Sequence, residues 1–149
     1  MKVWKFEIFG RGLGQEDKNP MGYKRTTVGS KWDAEYQKYT QWCGYVRSTF
    51  EANFPDHEML IIRKRKGLYL YAFSGKNLHI DDRYTVRTWI WFTKDVRSDA
   101  GNVTKGITDA LFDEDKQVLE QSMAYEYDKK HPRVLVEISF TAKQGSDNG

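Results

Sequence analysis

The stretch from Tyr84 to Thr93 constrains the fold more than any other part of the chain. Val86, Trp89, Ile90, Trp91 and Phe92 place β-branched and aromatic side chains on both faces of an extended segment, the pattern of a central strand covered on both sides. Such a strand needs neighbours. Val3 to Phe9 alternates Trp4, Phe6 and Ile8 with Lys5 and Glu7 and reads as a half-buried strand. Gly10 to Ser30 holds five glycines and Pro20 with no apolar period, so it reads as a long loop. Asp33 is the expected cap of a helix running to about Asn53, on which Tyr39, Cys43, Val46 and Phe50 form the core stripe. Pro55 ends it.

Met59–Ile62 and Leu68–Phe73 flank Arg63-Lys64-Arg65-Lys66-Gly67 and predict a hairpin with a basic tip. Asn102 to Phe112 spaces Val103, Ile107, Ala110 and Leu111 as a helix despite Gly106. Val118–Tyr127 and Arg133–Thr141 read as two strands joined by a turn at Asp128–Pro132. The order β-α-β-α-β-β predicts a two-layer α+β or α/β domain: a mixed sheet, helices on one face, and the basic hairpin inserted. With 149 residues, 39% of them hydrophobic, residues 1–149 are expected to form one domain with a polar tail over 143–149.

The chain has no run of 18 or more apolar residues and no apolar stretch after Met1 of the kind a secretory signal needs, so no membrane association and a cytoplasmic location are expected. Cys43 is the only cysteine, which excludes an internal disulfide and a Cys-rich zinc site. His57, His79 and His131 lack metal-ligand spacing.

Net charge is +3, but it is unevenly spread. Residues 60–97 carry nine Lys/Arg against three Asp, whereas residues 98–128 carry eight acids against Lys105 and Lys116. A basic surface attracts a polyanion, and carboxylates beside it repel one unless cations intervene. Together the two blocks suggest metal-dependent phosphodiester chemistry; the plainer reading is two solvated faces that never meet.

A magnesium site needs carboxylates brought together from different elements. Asp99 follows the buried strand, where open sheets place ligands, and Asp115 opens the next strand. Asn102, Lys105 and Asp109 between them are spaced three and four apart, hence on one helix face.

The run Arg97-Ser98-Asp99-Ala100-Gly101-Asn102-Val103-Thr104-Lys105, then Asp109-Ala110-Leu111, then Glu114-Asp115-Lys116-Gln117-Val118, resembles the RusA-type Holliday junction resolvases. Their pattern is Asp-x-Asp-Asn-x-x-Lys, Asp-Ala-Leu and an acidic pair before a final hairpin. The close match lies within residues 97–118, and the loop at Pro20 to Arg25 also looks like the family's. The resemblance implies a homodimeric, Mg²⁺-dependent endonuclease, with Mn²⁺ as a substitute, nicking four-way or branched DNA symmetrically in recombination and repair. It would act in a bacterial cytoplasm or, phage-encoded, in that of the host. By position, Asp99 and Asp115 take metal-binding carboxylate roles, Asp109 joins them, and Lys105 is the essential lysine. Gly101 stands where the family's second aspartate usually is, which removes one metal ligand.

DNA binding is expected to rest on Lys24, Arg25, Arg63, Lys64, Arg65, Lys66, Arg83 and Arg97 as phosphate contacts, with Asn102 beside them. A two-fold dimer suits a junction of approximate two-fold symmetry. One rival is a restriction-type nuclease built on Asp99 and Glu114-Asp115-Lys116; its Glu-x-Lys belongs within a strand, whereas this one opens a strand. Another is a non-catalytic DNA-binding or phage structural module with a degenerate metal site, which Gly101 favours. Gly10-x-Gly12-x-Gly14 as a nucleotide loop is a weak third, because no helix begins there.

Overall fold

The computed structural model describes residues 3–12, 14–24, 34–55, 60–64, 67–71, 82–93, 100–112 and 118–143. Along the chain these form β1 (Val3–Phe9), α1 (Ala34–Asn53), β2 (Leu60–Lys64), β3 (Gly67–Tyr71), β4 (Asp82–Phe92), α2 (Ala100–Leu111), β5 (Val118–Tyr127) and β6 (Arg133–Lys143). The result is a small α+β fold with a mixed four-stranded sheet ordered β1-β6-β4-β5, and a separate antiparallel pair β2-β3. Among the described residues no helix is long and apolar enough to cross a membrane.

One core joins sheet and helices. Trp4, Phe6 and Ile8 of β1, Tyr84, Val86, Ile90 and Phe92 of β4, and Val134, Val136 and Ile138 of β6 turn to the same side. There they meet Tyr39, Trp42, Cys43, Val46 and Phe50 of α1 and Val103, Ile107, Ala110 and Leu111 of α2. The stripe expected on α1 is buried as read, and Trp42, three residues after Tyr39, joins it at 1% exposure.

Three features differ from the sequence reading. First, β4 is central, but among the described elements only one of its faces is packed against helices. Its other face carries half-buried Trp89 and Trp91 beneath Lys5, 6.0 Å from the Trp89 ring, and Arg133, 4.2 Å from the Trp91 ring. Arg133 also pairs with Glu7 and Asp128, and Arg87 with Glu137. Half-buried tryptophans roofed by paired cations give the same apolar signal as a covered strand. Second, β5 and β6 do not form a hairpin. β5 runs parallel to β4, whereas β6 lies antiparallel between β4 and β1. The connection crosses the end of β4, where Asp128 N donates to Phe92 O at 2.7 Å, and Gly10 N donates to Pro132 O at 2.8 Å. Third, α2 starts at Ala100, two residues before the expected boundary.

Because β4 and β5 are parallel, α2 is a crossover helix. Its direction follows from buried hydroxyls. Thr104 Oγ1 lies 2.6 Å from both Thr88 Oγ1 and Ser122 Oγ, while one turn later Thr108 donates to Glu120. Advancing along α2 therefore moves back along β5. Ala100 lies at one end of the helix and Val118 near the other, and twelve residues span about 18 Å. The basic block's β4 and the acidic block's β5 are hydrogen-bonded neighbours.

After β1 the chain turns at Gly10, whose φ of 58° is left-handed and whose Cβ position is filled by the backbone of Glu16. Gly10→Ala is expected to cost about 1–3 kcal/mol. For a domain of this size that is a fall in thermal midpoint of about 2–4 °C per kcal/mol, read by calorimetry; an unchanged midpoint would show that the turn has another route.

Candidate functional site on helix α2

Two sides of α2 are occupied, one by the sheet and one by α1. The third carries exposed Asn102, Lys105 and Asp109, as their spacing predicts. The segment from Asn19 to Lys24 docks along this stripe. Tyr23 N donates to Asn102 O at 2.9 Å, and Asn102 Nδ2 donates to Tyr23 O at 3.3 Å. Asn19 Oδ1 accepts from Thr93 N at 2.7 Å, fixing the segment to the end of β4. Gly106 makes the docking possible: a Cβ there would stand 3.2 Å from Tyr23 N and 3.4 Å from Tyr23 Cα. The glycine that weakens the helix on propensity is the one that admits a second backbone.

Side chains continue the contact. Lys105 Nζ sits 4.5 Å from the centre of the Tyr23 ring. Tyr23 meets Tyr39 of α1 edge to face, with centroids 5.9 Å apart. Tyr39 then donates its phenolic proton to Asp109 Oδ2 at 2.6 Å. An ammonium and a carboxylate one helical turn apart on α2 are thus each steadied by an aromatic from another segment. Arg47 Nη1 adds a bond to Ala110 O at 3.1 Å, satisfying one of the last carbonyls of α2.

Burial pushes the Tyr39 phenol above its usual range, and its bond to the Asp109 carboxylate raises it further. Cys43, four residues along the same stripe, is pushed up to about 11, mainly by burial. A thiol held neutral this way is no nucleophile near pH 7. Both folded values lie above the unfolded ones, so the stability they contribute is complete below the unfolded values and is lost as pH rises. For Cys43 the window runs from about pH 9 to about pH 11, and the loss is about 2–3 kcal/mol. The thermal midpoint is expected to fall across that window. A Cys43→Ala profile as steep as the wild type's would remove the thiol from this account.

The other sequence-derived candidates divide as follows. Lys24 and Arg83 are half-buried, and both are engaged in interactions within the fold. Arg63 and Lys64 lie on β2. Asp99, Asp115, Arg25, Arg65, Lys66 and Arg97, together with the cap Asp33, lie outside the described residues. Among the described residues no three histidine, cysteine or carboxylate side chains gather as metal ligands. Asp109 already accepts the Tyr39 proton, and Glu120 accepts that of Thr108.

Sequence reasoning passed over Tyr23 and Tyr39 as functional groups. Tyr39 was legible only as core, and the partner of Tyr23 lies 82 positions away, where no local period points to it. The chain matches no protein-family model and no curated protein.

Proposed function

We propose that this chain is a Mg²⁺-dependent endodeoxyribonuclease that acts as a homodimer on four-way or branched DNA in recombination and repair, making paired symmetric nicks. One convergence carries the reading. The two separated pieces of the resemblance, residues 20–25 and 99–111, have their described parts against each other, with Tyr23 bonded to Asn102 and covered by Lys105. A pattern made of unrelated fragments has no reason to converge.

In this proposal Asp99 and Asp115 hold Mg²⁺, or Mn²⁺ in its place. A divalent ion at such a site supplies Lewis-acid stabilisation of phosphate charge and a more acidic water. Lys105 presents its ammonium to the phosphate, Asn102 keeps the Pro20–Lys24 segment in register, and Asp109 is held by Tyr39 beside them. Lys24, Arg25, Arg83, Arg97 and the basic β2–β3 hairpin with Arg63, Lys64, Arg65 and Lys66 take phosphates without reading sequence. With Ala100 at one end of α2 and Val118 near the other, the proposal has the pair supplied across the dimer, Asp99 from one subunit and Asp115 from the other.

The test is nicking of a synthetic four-way junction in Mg²⁺. Paired symmetric nicks are expected, lost in Asp115→Asn while junction binding persists and weakens steeply with salt. Linear duplex cut as fast as the junction would overturn the specificity. Tight junction binding with no nicking in Mg²⁺ or Mn²⁺ would favour the binding-only module that Gly101 suggests.

A further inference from the structure

We propose that a small cavity between the glycine loop and α1 is a binding site for a phosphate group. The cavity, about 160 Å³, is lined by Arg11, Gln15 and Lys18 of the loop and by Lys38, Gln41 and Trp42 of α1. Three cations and two amides converge on it, all able to donate hydrogen bonds.

The decisive feature is Trp42. Its side chain is 1% exposed, yet its indole Nε1–H has no acceptor among the described residues. A buried donor left unpaired is rare and costly in a native fold, and in the proposal Trp42, which lines the cavity, turns its indole N–H to an oxyanion bound there.

The loop is built to hold its cations there. Arg11 N donates to Gln15 O at 3.0 Å, Gln15 N to Gly12 O at 2.8 Å and Lys18 N to Gln15 O at 3.1 Å. Arg11 Nε is anchored on Asn19 O at 2.9 Å, which fixes the plane of the guanidinium. Glu16 spends its carboxylate on Gly14 N at 2.9 Å. Neither Arg11 nor Lys18 has a carboxylate partner among the described residues. Lys38 is shared with Glu35 at 3.3 Å, but both side chains are more than half exposed, and such a pair yields readily to a second anion.

The glycines therefore serve a phosphate by a different route from a nucleotide loop. The ligand rests on side chains and an indole N–H rather than on a helix N-terminus. A phosphate fits this donor set because it offers several acceptor oxygens and up to two negative charges. It comes either as a free phosphate or as a phosphate of a DNA strand.

The indole N–H resonances of the uniformly ¹⁵N-labelled, full-length protein provide the test, without divalent metal. The Trp42 signal is assigned through its proximity to the Tyr45 ring, 6.3 Å between centroids. Inorganic phosphate is titrated against chloride at equal ionic strength, and then a short single-stranded oligonucleotide without terminal phosphate. The Trp42 resonance is expected to move saturably with a phosphate source and not with chloride. A response to inorganic phosphate alone identifies a free phosphate, and a response to the oligonucleotide identifies the strand. In the Arg11→Gln/Lys18→Gln variant the affinity should fall at least tenfold while the other four indole signals keep their positions, showing an intact fold. A Trp42 resonance unmoved by both sources, one moved equally by chloride, or an unchanged affinity in the variant would overturn the proposal. No cleavage is read, so its failure leaves the nuclease proposal standing, and the reverse also holds.

Discussion

Replacing Lys105 by alanine is expected to lower junction nicking by about 10²–10³-fold, the loss seen when one preorganised electrostatic donor is removed, with little change in stability or junction affinity. Two magnitudes decide this. The contact of Lys105 Nζ with the Tyr23 ring at 4.5 Å is exposed, and such a cation–π contact contributes about 0.5–1 kcal/mol. A charge-assisted bond from the same ammonium to a phosphate oxygen, strengthened only as charge develops in the transition state, contributes about 1.5–3 kcal/mol there and leaves ground-state binding nearly unchanged. In the proposed nuclease, Lys105 is parked on Tyr23 and leaves it for a phosphate at small cost. On that proposal, loss of the ammonium removes the larger interaction at the reacting centre and only the smaller one from the fold. The measurements are single-turnover nicking, junction binding in Ca²⁺, and the thermal midpoint of the same preparation. A midpoint lowered by many degrees, or binding lost in step with nicking, would make Lys105 a structural residue holding the Pro20–Lys24 segment.

The parts of the fold that were legible in the sequence are those in which one short segment carries its own signal. Trp4, Phe6 and Ile8 alternate and all three are buried. Tyr39, Cys43, Val46 and Phe50 recur at helical spacing, and they face the core. Strand order was not legible, because it is fixed by pairings between distant segments. The turn at Asp128–Pro132 suggested a hairpin, but a turn constrains only its own residues. The parallel pairing of β5 with β4 comes instead from the span of α2 and its threonines. Thr104 and Thr108 read as ordinary polar residues in a helix, yet they are buried and bond to Thr88, Ser122 and Glu120 across the sheet. A hydroxyl facing a hydroxyl leaves no hydropathy pattern.

The site was legible in the same partial way. Spacing alone put Asn102, Lys105 and Asp109 on one face, and they share one exposed stripe. What steadies them was hidden. Tyr23 sits in a loop without period, Tyr39 on a core stripe, and Gly106 counts against the helix by propensity while admitting the Tyr23 backbone.

Mixed dimers give the sharpest expected result. Asp99 precedes Ala100 and Asp115 stands three residues before Val118, at opposite ends of a helix of twelve residues, about 18 Å long, and the proposal therefore has two subunits share each ion. Asp99→Asn and Asp115→Asn are each expected to abolish nicking as homodimers. Mixing them by co-expression restores it. In a heterodimer of the two variants, one site collects both altered residues, and the other collects Asp99 from one subunit and Asp115 from its partner, both intact. Random pairing makes half the dimers heterodimers with one working site of two, so the single-nick rate should recover to about one quarter of the wild type's. Paired cuts at one junction should stay absent, because no dimer has two working sites. A site built within one subunit predicts the opposite: every subunit in the mixture carries one altered acid and nothing is recovered. Nicking near zero in a mixture shown by mass to contain heterodimers would therefore exclude a shared site.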